Sequence, residues 1–341
     1  MKVQNSYHKM MKEVSRLSGP GRTLVRGEKM VTREEFYVGS SDGIHMIHGY
    51  RWYDPGKKVK GILQIVHGML EYIERYEELA DRMAAEGYFV IGHDHLGHGD
   101  SVKSPEELGY VGKHGAVLWL RDIELIRKMA VSYAPKVPCI LLGHSMGSYL
   151  VRRYLIYHGN KVDAAVLMGI GHQPAMAVKA GLLVTYVSMM QKGAKGHSPI
   201  LNQMTCTGFA KRYPDNANTG SWMSRDPQVL NDALQDEKRN FSFSLNAFEA
   251  LFRTVEEVVD PKRAARMPKD LPLLILAGDE DPVGEKGRGV RRFRAMLDRI
   301  GMKEVTLRLY PGNRHELIHD LDKEQVFTDL RKWCDAITAG K

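Results

Sequence analysis

Between Gly61 and Gly171 the chain alternates between short runs that are apolar throughout and longer runs whose apolar residues recur every three or four positions. "GILQIVHG" (61–68), "YFVIGHD" (88–94), "PCILLGHS" (138–145) and "DAAVLMGIG" (163–171) are of the first kind and read as strands buried on both faces. Between them, residues 73–87 carry Ile73, Tyr76, Leu79, Ala80, Met83 and Ala84 at helical spacing, and "AVLWLRDIELIRKMAVSYA" and "SYLVRRYLIYH" repeat it. Such strands separated by amphipathic helices predict an α/β protein with a mostly parallel sheet and helices on both faces. The alternation stops near His172 and resumes at "LPLLILAGDEDP" (271–282), followed by a helix, the strand "VTLRLYPG" (305–312) and a helix to about Ile337. The stretch between is helical and turn-rich, an insertion after one strand of the sheet. Upstream, "REEFYVGSSDG" and "IHMIHGYRWYD" predict a β-hairpin around Ser40–Gly43. The expected organisation is a polar, lysine-rich arm at 1–30 with one docked helix, a core at 31–171 and 266–341, and a helical cap at 172–265.

Composition narrows the class. With 341 residues, 43% hydrophobic and 26% charged, the chain can bury a large core and carries no long disordered tract. Cys139, Cys206 and Cys334 are odd in number and far apart, which excludes a CxxC metal pair and predicts a reducing compartment. The N-terminus lacks the apolar core of a signal peptide, so the expected location is cytoplasmic. The longest apolar run, Ala180–Met190, is shorter than the roughly 20 residues of a membrane span. The net charge of +8 is concentrated late, as in "KGRGVRRFRAMLDR" (286–299). Without interleaved aromatics or a nucleic-acid motif, that run reads as the solvated face of an outer helix, and no nucleic-acid partner is expected.

Two stretches could carry chemistry. "IGHDHLGHGD" (91–100) sets His93, His95 and His98 beside Asp94 and Asp100, the residue types that hold zinc or a di-metal pair. "GHSMG" (143–147) follows an apolar strand and precedes a helix, the setting of a nucleophile elbow. There the turn strains the backbone, Gly143 and Gly147 leave room for it, and the Met146 N–H at the helix start would face a developing oxyanion. A serine needs a base, and the base an orienting acid. "AGDEDPVG" offers Asp279, Glu280 and Asp281 at the end of the next core strand, and "YPGNRHE" offers His315 past the last one. All would lie on the edge where Ser145 emerges. Asp281 is chosen because Pro282 forces a turn that can aim its carboxylate inward, and Asp279 is expected to brace the loop.

"VHGMLEY", "GHDHLGHGDS", "GHSMGS", "GDEDPVG" and "RHE" together resemble the α/β-hydrolase superfamily, and within it the monoacylglycerol lipase and lysophospholipase group classed with the serine aminopeptidase-like hydrolases. The resemblance runs from about Glu34 to the last helix and includes the cap, which departs from the group's pattern at "QDEKRNF". It implies a serine esterase with catalytic Ser145, Asp281 and His315, an oxyanion hole from the Met69 and Met146 N–H groups, and no metal or other cofactor. It makes residues 94–101 a buttress of the pocket instead of a metal site. It sets Glu71 and Arg75 at the polar end of the substrate site, although an ion pair at the start of the helix from 73 fits them equally. The implied substrate is a small acyl ester, above all a monoacyl lipid, with transient membrane-surface or micelle contact through the cap. A peptidase using Asp232, Asp236 or Glu237, a small-ester esterase, and a silent receptor on the same scaffold stand as alternatives.

Overall fold

The computed structural model describes residues 22–26, 29–210, 213 and 220–340, with side chains from residue 31 onward. Among these, nine strands form one sheet: β1 (Arg22–Arg26), β2 (Lys29–Gly39), β3 (Met46–Tyr53), β4 (Gly61–Val66), β5 (Tyr88–His93), β6 (Cys139–His144), β7 (Ala164–Met168), β8 (Leu273–Gly278) and β9 (Val305–Tyr310). Their order is β1-β2-β3-β5-β4-β6-β7-β8-β9; β1, β2, β3 and β5 pair antiparallel in turn, and every pairing from β5 to β9 is parallel.

The runs that are apolar at every position supply two cores at once, because successive strand side chains point to opposite faces. From β6, Cys139 and Leu141 join the apolar faces of α2 (Gly115–Tyr133), α3 (Met146–His158) and α7 (Arg288–Arg299), reached after α1 (Glu77–Ala85) on the other side. Ile140 and Leu142 instead meet α1 and the last helix, α8 (Lys323–Ala339). At about 1.5–3 kcal/mol per fully buried Leu, Ile or Val, these central strands dominate the stabilisation. In α7 the apolar Val290, Phe293, Met296 and Leu297 face inward while Arg288, Arg291, Arg292 and Arg299 are exposed.

Between β7 and β8 the described residues form α4 (Ala175–Lys192), α5 (Pro227–Gln235), α6 (Leu245–Val259) and shorter turns, with no strand. The α6 stripe Phe248, Leu251, Phe252 and Val255 is buried, and α6 packs on α2, α3 and α4. A Cβ on Gly181 of α4 would stand 2.7 Å from the Phe252 ring, so the two helices approach this closely only over a glycine.

Two expectations need correction. The docked N-terminal helix lies outside the described residues, but residues 22–26, expected within the arm, form β1, whose Arg22–Arg26 pair in register with Arg33–Lys29 of β2. The helix expected from Ile73 opens as a 3₁₀ turn over Ile73–Tyr76 and becomes α-helical at Glu77. Its first donor, the Ile73 N–H, is taken by Asp94 Oδ1 at 2.7 Å, so a carboxylate from the next strand's end replaces a local cap.

Candidate active site

Where β6 meets α3, Ser145 has φ +50° and ψ −116°, a region that non-glycine residues rarely occupy. The turn closes tightly enough that a Cβ on Gly147 would stand 1.9 Å from the Val66 carbonyl oxygen, and one on Gly143 would stand 2.4 Å from that of Gly147. The Ser145 N–H donates to the Met168 carbonyl at 2.9 Å, which ties the strained turn to β7.

The loops after β8 and β9 complete a chain of hydrogen bonds. His315 Nε2 lies 2.8 Å from Ser145 Oγ, and His315 Nδ1 lies 2.9 Å from Asp281 Oδ2. Asp281 is fully buried, and its other oxygen accepts the Val283 N–H at 2.8 Å. With Nδ1–H donated to the carboxylate, Nε2 is left as the acceptor for the serine proton. The neighbouring acids are used elsewhere: Asp279 accepts the Gly312 N–H at 2.7 Å, and Glu280 pairs with Lys286 at 2.6 Å. The Trp222 ring covers His315, with centroids 5.0 Å apart.

Met69 follows β4 and Met146 opens α3, so both stand beside Ser145, and neither N–H is spent on a turn or cap hydrogen bond among the described residues. The β4 loop presses against the nucleophile: a Cβ on Gly68 would stand 3.0 Å from the Ser145 Cβ and 2.5 Å from Glu71 Oε1. Ser145, His315 and Met69 open on a cavity of about 650 Å³ roofed by residues from between β7 and β8. Its walls include Val178, Phe209, Trp222, Leu230, Phe241 and Phe252.

A family model described as serine aminopeptidase, S33, matches residues 57–322, which hold every element of this site. The chain belongs to that family. Among relatives of this S33-family protein, the monoacylglycerol lipase of Mycolicibacterium smegmatis is 27% identical over 303 residues, 89% of this chain and 97% of the relative. The monoglyceride lipase of Rattus norvegicus is 33% identical over 311 residues, 87% and 89% of the two chains. A thermostable carboxyl esterase from Bacillus coagulans, solved with glycerol, superposes with a TM-score of 0.83 at 26% identity, covering 90% of this chain and 99% of that one. The fold of the S33-family protein is the α/β-hydrolase fold.

Glu71 lines the cavity and Arg75 stands behind it, and both side chains are occupied. Glu71 Oε1 accepts from the Gly68 N–H, from Tyr76 at 2.9 Å and from His144 at 2.8 Å, while Oε2 accepts from Arg75 at 2.7 Å. His144 and Arg75 hold the Glu71 carboxyl well below the ordinary carboxylate range against the cost of its burial. Arg75 does not line the cavity; it bridges Glu71 to Glu316, 2.7 Å from each. Glu71 is therefore a wall residue held by four neighbours, and Arg75 is the bridge from it to Glu316. Three partners had not been singled out in the sequence. Glu316 stands directly after His315 and could have been read from "RHE"; Arg239, which pairs with it at 2.8 Å, and Trp222 come from stretches with no periodic signal.

The histidine-rich loop lies beneath this site. Asp94 accepts from His48 Nδ1 at 2.7 Å, from the Ile73 N–H and from the Asp100 N–H at 2.9 Å, and its backbone carbonyl accepts from Ser101. His67 accepts the His95 N–H at 2.9 Å and donates to the Gly68 carbonyl at 2.8 Å, so the loop braces the turn that carries Met69. Among the described residues, the three that could grip an ion together are His48, Asp94 and Asp100, not the histidines at 93, 95 and 98. Lys238 already occupies the Asp100 carboxylate at 2.6 Å.

Proposed function

We propose that this protein is a cytoplasmic serine hydrolase that cleaves the ester of a monoacyl lipid, a monoacylglycerol or lysophospholipid, through an acyl-enzyme. The observation that carries the reading is the Ser145–His315–Asp281 chain opening on a mostly apolar cavity large enough for a small ligand. Ser145 Oγ attacks the ester carbonyl carbon as His315 Nε2 takes its proton. The Met69 and Met146 N–H groups stabilise the oxyanion, and collapse expels the alcohol with the proton from His315. Water, deprotonated by His315, then attacks the acyl-enzyme and releases the fatty acid. Relatives bearing monoglyceride lipase names support the substrate class.

Residues 172–265 act as the cap over this cavity in our reading. On the outer side of α4, Met176, Leu183, Val187 and Met190 are exposed along one stripe beside Lys179. No helix of the described residues is long and apolar enough to cross a membrane, and this stripe instead suits transient contact with a lipid surface or micelle. The peptidase reading has less support. Asp232, Asp236 and Glu237 do not line the cavity, and Asp236 accepts from the Tyr72 hydroxyl at 2.8 Å.

The test compares kcat/KM for acetyl, octanoyl and palmitoyl monoesters, a triacylglycerol and an aminoacyl anilide. Each methylene buried against the cavity wall adds about 0.8 kcal/mol of binding, so the medium- or long-chain monoesters should lead. A preference for the anilide, or acetyl esters matching the longer chains, would refute the lipid reading.

A further inference from the structure

We infer that His144, the residue before the nucleophile, is a doubly protonated imidazolium clamped by Glu71, and that this ion pair is a positioning device for the reaction proposed above. Both ring nitrogens of His144 face groups that only accept. Nδ1 lies 2.8 Å from Glu71 Oε1, and Nε2 lies 3.3 Å from the backbone carbonyl oxygen of His315. A neutral imidazole carries one N–H and could satisfy one of them, leaving the other acceptor's lone pair facing a bare nitrogen in a buried site. Protonating Glu71 is no alternative, because three donors besides His144 already converge on its two oxygens, the Arg75 guanidinium among them.

The surroundings agree. Burial of His144 opposes the charge, but Glu71, then Glu316 and the His315 carbonyl, raise its pKa above the ordinary value. The remaining titratable neighbours are Arg75, which is already paired with both carboxylates, the Tyr76 and His315 rings, and His67 and His319. The pKa values of His67 and His319 are lowered, chiefly by burial, so neither adds a competing charge near neutral pH. His67 itself shows the other arrangement: one nitrogen donates to a carbonyl and the other accepts an N–H, which one proton satisfies.

The ion pair joins the three loops that must be in register for turnover. Glu71 fixes the Gly68 N–H, one residue before the Met69 donor. His144 fixes the entry to Ser145 and, through Nε2–H, the main chain of the base. A second arm, Glu71–Arg75–Glu316, ends on the residue after His315. Neither His144 nor Glu71 is required to touch the reacting atoms.

The inference rests on the esterase reading only for what the clamp positions; its charge state is tested without turnover. Full-length protein labelled with ¹⁵N-histidine gives the His144 ring signals, assigned by their loss in His144→Gln. Both nitrogens should be protonated at pH 8, where an ordinary histidine is neutral. In Glu71→Gln, His144 should be neutral at pH 8, kcat on a soluble ester should fall roughly 10- to 100-fold with KM within about twofold, and the alkaline limb of kcat should move to lower pH. A neutral His144 in the wild-type protein at pH 8 overturns the inference, as does a Glu71→Gln enzyme with unchanged kcat. Were that variant not to fold, the wild-type spectrum alone decides. Were the protein to hydrolyse no ester, the spectrum would still stand or fall independently.

Discussion

The loop after β5 and the loops after β6, β8 and β9 both gather histidines and carboxylates at the C-terminal edge of the same sheet. In the first, the His95 and His98 rings pack on that of His67 from the loop after β4, and His98 lies against Phe241 and Phe243. Burial above all drives the pKa of His93 and His98 down to about 3, and that of His95 well below its ordinary value. In the second, a buried carboxylate orients one histidine whose far nitrogen ends on a serine oxygen facing a cavity. Residue type does not separate the two. What separates them is where the hydrogen-bond chain terminates: inside the protein for the β5 loop, and at an atom that a ligand can reach for the other.

Paired substitutions should split the regions. His315→Ala removes the base and should lower kcat/KM by at least ~10³-fold with little change in melting temperature. His98→Ala empties a buried aromatic site and should cost about 2–4 kcal/mol of stability while the folded fraction keeps kcat/KM within ~10-fold. Urea unfolding measured beside ester turnover reads both, and a His98 variant that is stable but inactive would erase the distinction.

Acid should separate them next. The β5-loop histidines, with His319, have folded pKa values depressed below the unfolded value, so the unfolded chain binds more protons below about pH 6.5. Their contribution is fully present above that pH and is lost as pH falls toward 3, at up to ~1.4 kcal/mol per pH unit for each histidine. Glu71, whose carboxyl is held low, loses its contribution only as pH falls from about 4.5 toward its folded pKa. The melting temperature should therefore already decline between pH 7 and 5, before carboxylates titrate. A flat profile there would mean that these histidines are not neutral in the folded protein.

The sequence made one of these regions much easier to read than the other. Five core strands show as uniformly apolar runs because both of their faces are buried, and the elbow shows as "GHSMG" because its glycines are sterically required. Pro282 and strand-end position were enough to single out Asp281. The roles of Glu71 and Arg75 stayed open because the partners that occupy them, His144 and Glu316, lie 73 and 241 residues away in the chain. Arg239 reaches Glu316 from a stretch with no repeat to mark its direction. The 3₁₀ start at Ile73 was hidden for the same reason, since the carboxylate that takes its N–H sits 21 residues on. Period-based reading detects a face, whereas these features are pairings between distant loops.

The central claim is that Ser145 is the nucleophile at the end of a working chain. Mapping a fluorophosphonate label by mass spectrometry, on wild-type protein and on Ser145→Ala alongside ester turnover, tests it most directly. The expected result is one label, on Ser145, that disappears in the variant together with at least ~10³-fold of the hydrolysis while the fold is retained. A label on another serine, or turnover that survives in Ser145→Ala, would contradict it.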